Sequence, residues 1–259
     1  GYGTGAGTSG AEANNVGVGS NALLSVTTGG SNVVIGHIAG DAITIGNSNV
    51  VVGYNALTTE IAGDRSVAIG TQALALQTNA STVDVYNVAA GHNAGYSVTT
   101  GINNTIVGGL AGDGMQTADN CVAIGKSSLS GVATQDGTVA IGSSALTALT
   151  TGSGNVAVGY LAGDGLTDGG NNVLIGHSAN SAGGASASQN IGIGVNALLN
   201  ATGSNNVAIG YASGDLITSG GTNTLIGTST DPSANSGANQ TVIGYGAVGV
   251  ADNSVTLGN

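Results

Sequence analysis

The sequence predicts an all-β chain wound as a parallel β-solenoid, or β-roll, of about 17 residues per coil and roughly 15 coils. The first observation behind this is a glycine that closes a short apolar run and returns as Gly19, Gly36, Gly53, Gly70, Gly91, Gly108, Gly125, Gly142, Gly159, Gly176, Gly194, Gly210, Gly227, Gly244 and Gly258, mostly 17 residues apart. A repeat this short stacks into an array rather than one globular core. The second is that columns read down this register keep their chemistry. The third is composition: 49 Gly, one Pro, no Trp or Phe, and only 6% charged residues against 41% hydrophobic. A disordered chain would be charged and poor in Val and Ile. These small β-branched residues suit strands, and the scarcity of aromatic rings points to many thin layers.

Seventeen residues leave no room for a helix. They fit two strands of about five residues joined by tight turns. Coils stacked at the strand spacing of ~4.8 Å would give a rod of roughly 70 Å. The whole of residues 1–259 reads as one continuous array with a loop insertion near 77–84, where the glycine spacing widens to 21 between Gly70 and Gly91.

Each coil can be taken position by position. One residue before the glycine the column is apolar throughout, from Val18 and Ile35 to Ile243 and Leu257. Three before it, Val or Ile dominates, with Thr at Thr105, Thr224 and Thr241. These two columns share strand parity, so Val207 and Ile209 are expected to fill the roll. The residue between them, such as Val34, Ala68 or Ala208, is also apolar or small and is expected to face a neighbouring chain. A strand dry on both faces is a strand buried on both. The expectation is therefore a bundle of identical rolls, three around an axis. Four before the glycine, Asn fills ten of fifteen rows, among them Asn32, Asn49, Asn155, Asn172, Asn206 and Asn223. Stacked carboxamides can bond along the array. The glycine itself is expected to turn the corner with a positive φ, and Ala three residues later lets backbones approach closely.

Net charge is −11, with 13 acidic residues against Arg65 and Lys126. Phosphate binding needs clustered Lys and Arg, so nucleic acid is not the expected partner. No run approaches the ~18 apolar residues of a membrane helix. Cys121, the single cysteine, cannot form an internal disulfide.

Candidate chemistry sits in two columns. The position after the glycine carries His37, His92 and His177 together with Tyr2, Tyr54, Tyr160, Tyr211 and Tyr245. Aromatic rings offer flat amphipathic contact, so this Tyr/His ladder is the expected contact surface. A three-histidine ring could hold a transition metal, but the histidines lie several coils apart. Five after the glycine come Asp41, Asp113, Asp164 and Asp215. Carboxylates suit calcium, yet these never fall in adjacent coils and the calcium-roll signature is missing, so they read as turn residues. Asp231 beside Asp215 is the one place to look for an ion. No Gly-x-Ser-x-Gly elbow opens a helix and no phosphate loop sits in a βαβ unit, so neither enzymatic activity nor a cofactor is expected.

The repeats resemble those of two known families. Val67-Ala68-Ile69-Gly70 and Asn206-Val207-Ala208-Ile209-Gly210 with Ser213 resemble the head repeats of trimeric autotransporter adhesins. Gly53-Tyr54-Asn55-Ala56-Leu57 and Gly152-Ser153-Gly154-Asn155-Val156-Ala157-Val158-Gly159-Tyr160 resemble repeats of bacteriophage tail fibres. Asn253-Ser254-Val255-Thr256-Leu257-Gly258-Asn259 is similar to the element preceding a self-cleaving chaperone domain in such fibres. The resemblance implies a left-handed, homotrimeric β-roll on a virion tail or cell surface, binding a host surface receptor such as a glycan. It carries over no site residues. The 17-residue period is longer than that of the adhesin heads, and the adhesin neck motif is absent, which favours the phage fibre. The remaining alternatives are the head of a bacterial adhesin and a subunit of a head-to-tail extracellular filament. The phase of Gly1-Tyr2 and of residues 253–259 suggests a segment of a longer fibre.

Overall fold

A computed structural model describes residues 14–184 and 186–258. Gly1, Tyr2 and Asn259 lie outside the described residues. The chain is an all-β parallel solenoid of about 14 turns with about 17 residues per turn, and no helix occurs among the described residues. It divides into two compact units, Gly1–Asp136 and Gly137–Asn259.

In the first unit the main sheet is built from β1 (Val16–Val18), β2 (Val33–Ile35), β3 (Val50–Val52), β5 (Val67–Ile69), β7 (Val88–Ala90), β8 (Thr105–Val107) and β9 (Val122–Ile124). Two shorter strands, β4 (Gly63–Asp64) and β6 (Val83–Asp84), pair separately. The second unit holds β10 (Val139–Ile141), β11 (Val156–Val158), β12 (Val173–Ile175), β13 (Ile191–Ile193), β14 (Val207–Ile209), β15 (Thr224–Ile226), β16 (Thr241–Ile243) and β17 (Val255–Leu257). Successive strands within each unit pair in parallel with equivalent residues opposed, as Val33 faces Val50 and Val156 faces Val173.

Each turn therefore contributes one three-residue strand to the main sheet, not the two strands of about five residues that its length would allow. The backbone after the corner explains the difference. Positions two and four after the glycine are left-handed in turn after turn, as in Asn55 (φ 56°) and Leu57 (φ 48°) or Asn196 (φ 59°) and Leu198 (φ 56°). Alternating left-handed residues cannot extend into a strand. The corner glycine is equally constrained. Gly210 has φ 141°, and a Cβ there would collide with the carbonyl of Gly227 one turn on.

Strand parity is the reverse of the expectation. The middle residues Val34, Ala68, Ala140, Ala157 and Ala208 are fully buried, whereas Val207 is half-buried and Ile209 exposed. Ala208 thus fills the roll, and Val207 and Ile209 point away from it. The interior is narrow, and corner side chains such as Leu57, Leu146 and Leu198 already occupy it. Only a small residue fits opposite them. Where the fourth position after the corner is glycine instead, a larger neighbour enters. A Cβ on Gly163 would lie 2.8 Å from Leu146 Cδ2 and 2.9 Å from Leu174 Cδ1. Large and small residues alternate so that each layer keeps its volume, as close packing demands. The small residues at position three, such as Ala39, Ala56 and Ala111, are buried as expected.

Side-chain ladders join the turns. In the asparagine column, Oδ1 accepts the N–H of the equivalent residue one turn on, at 2.9 Å from Asn32 to Asn49 and 3.0 Å from Asn155 to Asn172. Nδ2 donates to a carbonyl three residues before that partner, such as Gly46 from Asn32 and Gly220 from Asn206, at 2.8 and 3.0 Å. Amide-to-amide bonds exist, as from Asn49 to Asn32 and Asn223 to Asn206, but the backbone is the constant partner. Threonines eight after the corner form a second ladder. Thr27, Thr44, Thr99, Thr150 and Thr202 each donate a hydroxyl to a carbonyl of the following turn.

Candidate functional site

The outward strand columns form an apolar surface in each unit. Ile35, Ile69, Val107 and Ile124 in the first, and Ile175, Ile209, Ile226 and Ile243 in the second, are each exposed by roughly two-fifths. The column two residues earlier adds Val33, Val50, Val67, Val156 and Val173, all half-buried. A contiguous β-branched face of this regularity is what a soluble surface normally avoids.

The Tyr/His ladder follows one residue past the corner glycine. Tyr54, Tyr160, Tyr211, Tyr245, His37, His92 and His177 are all exposed. The structure brings together two neighbouring pairs. His37 stacks on Tyr54 with ring centroids 5.7 Å apart and an 11° interplanar angle, and Tyr160 on His177 at 5.4 Å and 15°. His92 lies between Thr71 and Gly109, and Tyr211 between Val195 and Thr228, as the turn-to-turn backbone bonds place them. These rings offer stacking and hydrogen-bonding contact. Among the described residues no three His, Cys, Asp or Glu side chains gather where they could hold a metal ion.

The aspartates sit at turns. Asp41 accepts the hydroxyl of Thr58. Asp113, Asp164 and Asp215 have carboxyls raised above the ordinary value by burial, opposed by N–H groups of their own and the following residue. Asp231 is buried and its carboxyl is pushed up to about 6, chiefly by burial, with the Leu216 N–H opposing and Asp215 adding.

A buried polar cluster, absent from the expectations above, lies at the insertion. Seven after the corner the column is normally apolar and buried, as with Val26, Ile43, Val98 and Met115. Glu60 and Gln77 occupy that column in two successive turns, both fully buried. Glu60 Oε1 accepts the N–H groups of Ile61, Ala62, Gly63 and Asn79 at 2.7–3.1 Å. Its Oε2 accepts Gln77 Nε2 and Asn79 Nδ2, both at 2.8 Å. Gln77 continues to Ser66 and receives Asn87 Nδ2. A buried carboxyl is tolerated only with its acceptor capacity filled, and here backbone and side-chain donors converge on it. This network holds the turn on which β4 and β6 pair. Above it, on the surface, Arg65 makes an ion pair with Asp84 and lies over the ring of Tyr86, 5.7 Å from its centroid. Acidic and amide residues in an otherwise apolar column were the readable signal.

No protein-family model, no curated protein and no solved structure matches this chain. No helix among the described residues is long and apolar enough to cross a membrane.

Proposed function

We propose that this chain is a structural and adhesive fibre segment of the kind found in bacteriophage tail fibres, assembled as a homotrimer and serving attachment to a host surface receptor. The observation that carries the reading is the outward Val/Ile double column. Its chemistry is that of a buried sheet face, and its rungs recur with the turn spacing. A second copy of the same chain has the same rung spacing and meets every rung, which an unrelated globular surface would not. Removing such columns from water contributes about 25 cal/mol per Å² of apolar area, and the gain accumulates turn by turn. Backbone ladders and the hydrogen-bonded asparagine column, as at Asn32–Asn49 and Asn206–Asn223, give the stiffness that a fibre needs. Resemblance to tail-fibre and adhesin repeats supports three copies and an extracellular or virion location.

Light scattering on the purified chain tests the assembly. The expected mass is three times the 24.3 kDa of one chain, and replacing Ile175 and Ile209 with Asp together should yield a folded monomer. A monomer from the unaltered chain would overturn the proposal.

A further inference from the structure

We infer that Arg65, Asp84 and Tyr86 form a recognition site for a neutral carbohydrate on the insertion turn. The inference rests on the adhesive reading above and gives it a location away from the Tyr/His ladder.

Backbone conformation gives the first reason. Every position five before a corner glycine is left-handed, and its occupants elsewhere are Asn, Ser, Gly, Gln or Thr, from Asn14 and Ser31 to Asn239 and Asn253. Asn and Gly adopt this conformation readily, and bulky residues do not. Arg65 (φ 63°) and Tyr86 (φ 53°) are the two large side chains in the column, and they occupy consecutive turns. Strain retained against an available Asn points to a use for the side chains.

Support from beneath gives the second. The carboxyl of Glu60 gathers six donors and ties Asn79, at the start of the insertion, to residues 60–63. β4 and β6 then align Asp64 with Asp84. The insertion is thereby held in one shape, which is what a binding loop on a rigid scaffold requires.

The exposed chemistry selects the ligand. Half of Tyr86 is exposed, as are 47% and 49% of the Arg65 and Asp84 side chains. The patch sets guanidinium donors and carboxyl acceptors beside the Tyr86 ring, whose hydroxyl donates to Asp84 at 3.3 Å and over one face of which Arg65 lies. A sugar presents the complement, hydroxyls that both donate and accept around an apolar ring face. Asp84 already neutralises the guanidinium, and the chain carries −11 overall, so an anionic ligand gains no favourable field.

The test applies the labelled full-length chain to a printed panel of neutral gluco-, galacto- and manno-oligosaccharides with sulfated and sialylated members alongside. Binding to a neutral member is expected, reduced at least about tenfold in Tyr86→Asn and in Arg65→Asn and unchanged in Val132→Ala, an exposed residue of the same unit. Because Asn suits this corner, Tyr86→Asn should melt no lower than the unaltered chain, which separates lost contact from lost fold. Absence of binding across the panel, binding confined to acidic members, or full binding by Tyr86→Asn would each overturn the inference. Light scattering on the same samples keeps the two proposals apart: a trimer that binds no glycan defeats only this one, and a monomer that binds through Tyr86 defeats only the assembly.

Discussion

Asn206 accepts the backbone N–H of Asn223 at 3.1 Å and donates to the carbonyl of Gly220 at 3.0 Å. One buried side chain thus satisfies a donor and an acceptor on the turn that follows it. Asn206→Ala leaves both groups buried without partners, each at about 1–3 kcal/mol. The expected loss is about 2–6 kcal/mol, measured as a lowered denaturant midpoint. Asn206→Asp should also destabilise, because a carboxylate cannot donate to Gly220.

Gly210 is replaceable by no other residue on this backbone. Its φ of 141° and the facing carbonyl of Gly227 leave no space for a Cβ. Gly210→Ala should cost at least about 3 kcal/mol, combining backbone strain with overpacking. Loss of amide protection in β14 and β15 by hydrogen exchange would report it. A variant with unaltered protection there would contradict the corner geometry.

Glu60 should be the most sensitive polar residue of the first unit. In Glu60→Gln one acceptor becomes a donor and faces N–H groups in either amide orientation. A loss of about 2–3 kcal/mol is expected from the opposed donors. Hydrogen exchange at Ile61–Gly63 and Asn79 should accelerate most, while exchange in β14 and β15 stays as before.

Acidity should stabilise the second unit. The Asp231 carboxyl titrates at about 6 in the folded chain against an ordinary value of 3.8. The folded state therefore binds more protons between those values. The associated stability is present in full below the unfolded value and is lost as pH rises through about 6. Burial raises Asp164 and Asp215 of the same unit in the same direction. The melting temperature should fall from pH 4 to pH 7, by the equivalent of about 1–2 kcal/mol for Asp231 once solvent screening is allowed for. Asp231→Asn should flatten most of the slope, and a melting temperature that rises over this range would contradict the assignment.

The sequence by itself determined the repeat, the corner glycines and the asparagine column. Each of these answers a requirement that one residue meets alone: a positive φ at Gly210, a short amide that reaches the next turn at Asn206. Repetition down fifteen rows made them readable. Only the tertiary structure decided which strand face is inside. Val207, Ala208 and Ile209 are all apolar, so pattern could not separate them, and the deciding quantity was the interior volume left by Leu57, Leu146 and Leu198 from other parts of the turn. The single short strand per turn was hidden for a similar reason, since left-handed Leu57 and Leu198 are residues that local preference places elsewhere. The cluster around Glu60 needed the structure most. Its donors come from Ile61 to Asn79 across an insertion, and their convergence depends on stacking one turn upon the next rather than on any spacing visible along the chain.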